Sequence, residues 1–246
     1  FAKNMPNLAS NESLEQLGEN LYSAQVSLDV ADQLLKLTEV RRLQTKKKTQ
    51  LHLDNATTGI GVRSTTSGPR QVTETGKGVL IGIVDSGFYL THPMFRDSTG
   101  KLRVEGLLDQ TNNHSEFTTA QLQTQWTWQS NPSGPGGDNH GHGTHVASIA
   151  GGTNFNGFEG VAPGARFLLV KTNFFDTDKA VKWIFNKAGT KPCVINMSLG
   201  HHWGAHDGTD LEEQLHDLLV GRGKVLVVSA GNERNDQIHL GGRFVA

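Results

Sequence analysis

The sequence has little cysteine, little charge imbalance and no long apolar run. Cys193 is its one cysteine among 246 residues, which excludes an internal disulfide. With 23 basic and 24 acidic side chains the formal net charge is −1, so nothing indicates a nucleic acid or an anionic membrane as a partner. No apolar run approaches the roughly 20 residues of a membrane span, and no signal peptide is recognised at the N-terminus.

Glycine is abundant, with 29 residues, and the length suits one domain with a small appendage. Residues 1–20 are polar and show no clear period. Residues 24–30 alternate like a strand, 31–37 have helical spacing, and 40–44 are again typical of a strand. We therefore predict a small α+β unit in residues 1–45 and, because 46–76 are polar and rich in Thr, Ser and Gly, a linker across the surface of the next domain.

Residues 77–246 form the predicted main domain, in which apolar strands alternate with helices. Strands are predicted at residues 78–84, 165–171, 193–200 and 225–233, and helices at 178–188 and 211–220. Continuous apolar strands separated by helices indicate an α/β fold with a mostly parallel sheet. Functional residues are then expected where the strands end, at the carboxyl edge of the sheet.

Polar residues that packing does not explain occur at such places. His142 lies between Gly141 and Gly143 and precedes a short helix of small apolar residues, so it is either a catalytic base or a solvated histidine in a glycine-rich loop. Asp85 ends the first strand and Asn232 follows the fourth. Each of these two alone is equally typical of an ordinary turn.

Taken together and in this order, five segments resemble the subtilase family of serine proteases. They are IGIVDSGFYLTHP, DNHGHGTHVASIAGG, GVAPGARFLLVK, INMSLG and VVSAGNE, and the resemblance covers about residues 77–246. It implies a subtilisin-like three-layer α/β/α fold with a mostly parallel sheet. It also implies that residues 1–45 are the remnant of an α+β propeptide, an intramolecular chaperone and inhibitor.

The resemblance further implies a serine-type endopeptidase that is secreted and acts on polypeptide substrates. His142 would be the general base, Asp85 would orient it, and Asn232 would stabilise the oxyanion. The positions matching the family's substrate-binding strand and pocket wall are Ser198, Leu199, Gly200, Ala230 and Gly231. Its partners would be a polypeptide substrate and its own propeptide.

The sequence departs from the family because it has no segment resembling GTSMA, which carries the nucleophile after the asparagine. Residues 233–246 contain no serine, and Ser86, Ser198 and Ser229 belong to other motifs. We expect the domain to be incomplete at its C-terminus, with its serine beyond residue 246, and residues 1–246 alone to be inactive. The alternative is a non-catalytic binding or scaffolding protein that keeps the fold and has lost the nucleophile.

No cofactor is expected for the chemistry, and the sequence does not locate a structural calcium. Met94 stands where relatives have a calcium-binding aspartate, and a thioether is a poor ligand for a hard cation, so that calcium site is expected to be absent. Two groups of histidines lack the spacing of metal ligands, and no metal is predicted there. They are His140, His142 and His145, and His201, His202 and His206.

Overall fold

A computed structural model describes residues 6–18, 21–41, 43, 50–51, 60–62, 70–124, 136–156, 158–205 and 207–233. Its strands are β1 (Ser13–Gly18), β2 (Leu21–Gln25), β3 (Gln50–Leu51), β4 (Leu80–Asp85), β5 (Val104–Asp109), β6 (Ser115–Thr118), β7 (Arg166–Lys171), β8 (Cys193–Met197), β9 (Leu199–Gly200) and β10 (Lys224–Val228). The helices are α1 (Leu28–Leu35), α2 (Thr119–Thr124), α3 (His142–Gly151), α4 (Thr177–Ala188) and α5 (Leu211–Leu219).

The main sheet has the strand order β10-β8-β4-β7-β5-β6. All of its neighbouring pairs are parallel except β5 with β6. The predicted α/β fold with a mostly parallel sheet is therefore confirmed. Because parallel strands share one direction, β4 and β10 end at the same edge of the sheet, and so do the residues that follow them.

The core has two layers, one on each face of β4, and every residue of this strand is buried. Leu80 and Val84 pack in a cluster with residues of α4, such as Ile184. Ile81 and Ile83 belong to a second cluster that contains Val146 and Ala147 of α3. Alternate residues of a strand face opposite sides, so this one apolar run buries both layers. Each such buried side chain contributes about 1.5–3 kcal/mol.

Two strands are shorter in the structure than the sequence predicted. The chain leaves the main sheet at Ser198, and Leu199 and Gly200 then pair antiparallel with Gln50 and Leu51, so residues 193–200 are not one strand. The last predicted strand, residues 225–233, ends at Val228. The strands β5 and β6 were not predicted at all, and β5 is an inner strand of the sheet.

The N-terminal unit differs from its prediction. β1 and β2 form an antiparallel hairpin, and β1 lies in the residues for which the sequence showed no clear period. α1 begins at Leu28, earlier than expected, because the Ser27 hydroxyl accepts the Val30 N–H at 3.4 Å and caps the helix. No strand follows at Val40, Arg41 or Leu43, while residues 42 and 44 lie outside the described part.

None of the helices in the described ranges is long and apolar enough to cross a membrane.

Candidate active site

A buried aspartate and a histidine meet where β4 ends. The Asp85 carboxylate is fully buried, and its Oδ1 lies 2.7 Å from Nδ1 of His142, whose side chain is 14% exposed. The same oxygen accepts the Ser86 N–H at 2.7 Å. A carboxylate has no proton to donate at neutral pH, so the bond assigns the ring proton to Nδ1. It leaves Nε2 as the basic atom of a neutral imidazole.

Two glycines around His142 make this approach sterically feasible. Gly141 precedes α3 with φ 74°, a left-handed conformation that suits glycine. Gly143 packs so closely on β4 that a Cβ there would collide with the Gly87 carbonyl oxygen and lie 2.9 Å from the Asp85 Cβ. Only a residue without a side chain therefore fits at Gly143.

The other oxygen of Asp85, Oδ2, is buried and accepts no hydrogen bond from any described residue. Most buried acceptors in folded proteins are paired, because an unpaired one loses its hydration without replacement.

Asn232 lies at the same edge of the sheet, beyond the end of β10. It is exposed, and its backbone N–H donates to Oε2 of Glu233 at 2.6 Å. The same oxygen of Glu233 is 2.7 Å from Nε2 of His202. The sequence had not singled out Glu233, and only its position directly after Asn232 could have drawn attention to it.

The expected substrate-binding residues form two adjacent segments. Leu199 and Gly200 form β9, and the Ser229 hydroxyl donates to the Leu199 carbonyl at 3.2 Å, which joins this strand to the residues after β10. Gly231 has φ 98°, and a Cβ there would lie 2.9 Å from Nε2 of His202. The structure therefore joins Leu199 to Ser229, and the substrate-binding roles of these two segments stay predictions.

Two residues beside the site were not predicted to have a role, namely Ser86 and Asp138. Both are buried, and the Ser86 hydroxyl donates to Oδ1 of Asp138 at 3.0 Å. The sequence signal for Asp138 was its place a few residues before a helix whose own N-cap, Gly141, has no side chain.

A buried guanidinium lies at the far end of α3. Arg103 is 4% exposed and donates to four backbone carbonyls. They are those of Met94 at 2.7 Å, Gly151 at 2.6 Å, Pro163 at 2.9 Å and Ala165 at 2.6 Å. Burial lowers the pKa of Arg103 to about 10, so it still carries its charge at neutral pH.

Other reactive groups do not add to the site. Burial raises the pKa of Cys193 to about 11, so its thiolate is scarce at neutral pH and a nucleophilic role is disfavoured. Within the described ranges, no three His, Cys, Asp or Glu side chains converge as metal ligands. His206, one of the histidines considered from the sequence, lies outside those ranges.

The chain is similar to known proteases. The model of the Subtilase family matches residues 76–243. An extracellular serine proteinase of Thermus is 32% identical over 171 residues, which cover 67% of this chain and 33% of the relative. Serine protease AprX of Bacillus subtilis is 27% identical over 239 residues, or 88% of this chain and 47% of AprX. This chain therefore spans a third to a half of the length of these relatives.

A solved protease structure is also similar to this chain. The CspB protease of Clostridium perfringens superposes with a TM-score of 0.59 and 31% identity, over 66% of this chain and 37% of CspB.

Proposed function

Because the chain belongs to the subtilase family of serine proteases, we propose that it carries the acid and base of a serine-type endopeptidase. The observation that carries the proposal is the 2.7 Å contact between Nδ1 of His142 and the buried Asp85 carboxylate. In this orientation Nε2 of His142 accepts the proton of a serine hydroxyl as its oxygen attacks a peptide carbonyl. Asp85 keeps the ring in that tautomer and stabilises the imidazolium that forms.

Asn232 is proposed to donate its side-chain amide to the oxyanion of the tetrahedral intermediate. Its support is the position at the same sheet edge as Asp85, together with the family motif. In subtilisin, a relative, loss of the corresponding donor lowers kcat by about 10²–10³-fold.

The serine itself is proposed to lie in a part of the protein outside residues 1–246. Within them, no segment after Asn232 resembles the family's serine motif. Residues 1–246 alone would then bind but not cleave a peptide. Sequencing the gene past Ala246 distinguishes this from the non-catalytic alternative, because a GTSMA-like segment supports the protease and a stop codon there supports the alternative.

The substrate is proposed to bind as an extended strand on Ser198, Leu199 and Gly200, with Ala230 and Gly231 along the side chain before the cleaved bond. The support is that β9 already pairs antiparallel with another extended segment, Gln50–Leu51. Main-chain pairing of this kind accepts many sequences, which suits an endopeptidase acting on polypeptides.

The N-terminal residues are proposed to act as an inhibitory propeptide, with residues 1–45 as its folded unit. Nζ of Lys182 donates to the Gln16 carbonyl at 2.5 Å, and Nζ of Lys179 lies 3.6 Å from Glu15. These contacts attach β1 to α4, and from there the chain reaches β9 through Gln50–Leu51. A partly exposed ion pair such as that of Lys179 and Glu15 contributes at most about 1 kcal/mol.

No calcium is proposed at Met94. Its carbonyl accepts bonds from Arg103 at 2.7 Å and from the Thr153 N–H at 3.0 Å, so other donors already occupy this oxygen. The residues present therefore do not fit the calcium that the family resemblance implies at this position. No cofactor is proposed for the reaction, and secretion remains a prediction from the family.

The role of His142 is tested by fluorophosphonate labelling of the complete protein. His142→Ala is expected to abolish labelling, because no base remains to activate the serine. His145→Ala is the control, since it changes an exposed histidine one turn further along α3. Unchanged labelling of the His142 variant would refute the proposed role.

The inhibitory role is tested by a proline in β3. Leu51→Pro removes a backbone N–H from the segment paired with β9, and loss of about 1 kcal/mol of binding raises initial activity on a short peptide by about fivefold. Leu43→Pro is the control, because Leu43 lies in no strand and is 38% exposed. Equal activity of the two variants would contradict inhibition through β3.

A further inference from the structure

Asp138 is a buried carboxylate that nothing in the proposed chemistry uses. It is 7% exposed and accepts five hydrogen bonds. Oδ1 accepts from the Ser86 hydroxyl at 3.0 Å and from the N–H groups of His140 at 3.2 Å and Gly141 at 2.9 Å. Oδ2 accepts the N–H and the hydroxyl of Thr144, at 2.9 Å and 2.6 Å. A carboxylate with every lone pair used in this way is rigidly held.

Four of these five bonds fix the start of α3, where His142 is the first residue. A helix start leaves N–H groups without partners, and the N-cap residue usually satisfies one of them with its side chain. Gly141 is the N-cap here and has no side chain to offer. Asp138 takes over this task from outside the helix by accepting the N–H of Thr144. The first turn of α3, which begins at His142, is therefore bonded to Asp138 on the side of its free N–H groups.

The fifth bond joins this loop to the strand that carries the catalytic aspartate. Ser86 donates its hydroxyl to Asp138 and its backbone N–H to Asp85, and the same hydroxyl accepts the Gly143 N–H at 3.3 Å. Ser86 and Asp138 thus connect both partners of the contact between Asp85 and His142. A change of either residue is transmitted to that contact from two sides.

We propose that Asp138 is a positioning residue that, through Ser86 and the first turn of α3, holds the His142 ring at hydrogen-bond distance from Asp85. Catalytic geometry tolerates errors of only about 0.5 Å, and side chains locked by neighbouring hydrogen bonds maintain it. The effect on catalysis rests on the proposed function, whereas the effect on the ring does not.

The experiment compares Asp138→Asn, Ser86→Ala and the double variant in the complete protein. An asparagine presents N–H donors where one carboxylate oxygen accepted, so buried donors of α3 lose their partner. We expect kcat to fall about 10–100-fold, because the His142 ring would no longer be held at hydrogen-bond distance from Asp85, and each tenfold loss corresponds to about 1.4 kcal/mol in the activation barrier. KM for a short peptide is expected to stay within about twofold, because neither residue lies in the proposed substrate strand.

The double variant provides a second readout. Because Ser86 and Asp138 bond to each other, their effects on kcat are expected not to multiply, and the double variant should resemble the more damaged single variant. Independent, multiplying effects would contradict a shared connection. If Asp138→Asn does not fold, Ser86→Ala still tests the proposal, because it leaves four hydrogen bonds to Asp138 in place.

The third readout is the Nδ1 proton of His142, observed by NMR with labelled histidine. In the wild type this proton, held against Asp85, is expected at low field and protected from exchange with water. Asp138→Asn is expected to broaden it or to shift it by more than about 1 p.p.m. towards higher field. Asp210→Asn is the control, since Asp210 caps α5 by accepting the Glu212 N–H at 3.1 Å and touches no part of the loop.

The outcomes separate the two proposals. An unchanged Nδ1 signal and unchanged kcat in a folded Asp138→Asn variant would overturn the positioning role and leave the protease proposal intact. A wild-type protein with no peptidase activity, whose Nδ1 signal still depends on Asp138, would overturn the protease proposal alone. Equal losses of kcat and of the Nδ1 signal in the Asp138 and Asp210 variants would overturn the positioning role, because they would show that Asp138 only stabilises the fold.

Discussion

The two ends of α3 are built from opposite charges and have different consequences. At the N-terminus the buried carboxylate of Asp138 accepts N–H groups, and at the C-terminus the buried guanidinium of Arg103 donates to the Gly151 carbonyl. Both signs match the helix macrodipole. The first end bonds to the strand of Asp85, whereas the second bonds to the turn at Met94 and the start of β7. A short helix with few bulky residues is thus anchored at both ends, and we propose that the N-terminal end positions the site.

Removing the charge at the C-terminal end is expected to have the largest effect on stability. Arg103→Gln leaves buried carbonyls without donors, and we expect the free energy of unfolding to fall by about 3–5 kcal/mol. Calorimetry on the complete protein measures this loss. The folded fraction should still react with a fluorophosphonate, because Arg103 donates to the carbonyls of Met94, Gly151, Pro163 and Ala165 and not to the proposed catalytic residues.

Arg166→Gln is the matched control, since its guanidinium is 40% exposed and bonds to Glu105 at 3.0 Å. An exposed pair of this kind is worth at most about 1 kcal/mol. Equal losses for the two arginines would mean that burial of Arg103 does not anchor α3.

Replacing a glycine by alanine at each end of α3 tests the same comparison. In Gly143→Ala the new Cβ collides with the backbone. We expect the free energy of unfolding to fall by about 3 kcal/mol and fluorophosphonate labelling to be almost abolished. At Gly151 a new Cβ lies 2.9 Å from side-chain atoms of Ile81 and Phe167 rather than from backbone. Gly151→Ala should cost about 1 kcal/mol or less, because the overpacking is partly offset by better helix propensity.

Urea unfolding measures both stabilities, and labelling reports the site. If Gly151→Ala abolished labelling as Gly143→Ala does, the division between a catalytic and a structural end of α3 would be wrong.

The strands that could be predicted are those with continuous apolar runs, as in β4 and β7. β5 was missed because Val104, Leu107 and Leu108 are spaced by three and four residues, a pattern that fits a helix face as well as a strand. β3 was missed because two residues in a polar segment carry no pattern, and their pairing with Leu199 and Gly200 depends entirely on tertiary structure.

The meeting of Asp85 and His142 could be predicted, because family motifs and the shared edge of a parallel sheet both indicate it. The bonds of Asp138 could not. Ser86 and Asp138 are 52 residues apart, and hydrogen bonds between distant polar residues leave no periodic trace in a sequence. The glycines beside His142 could be read from the sequence, but they do not reveal which side chain accepts the N–H groups at the start of α3.

The short pairing of β3 with β9 also bears on solubility. Once the chain leaves the main sheet at Ser198, β9 presents backbone donors and acceptors that another chain could pair with, and such edges promote aggregation. Gln50 and Leu51 cover this edge from within the same molecule. The segment that we propose to inhibit the protease is therefore also expected to keep a newly folded chain from joining its neighbours edge to edge.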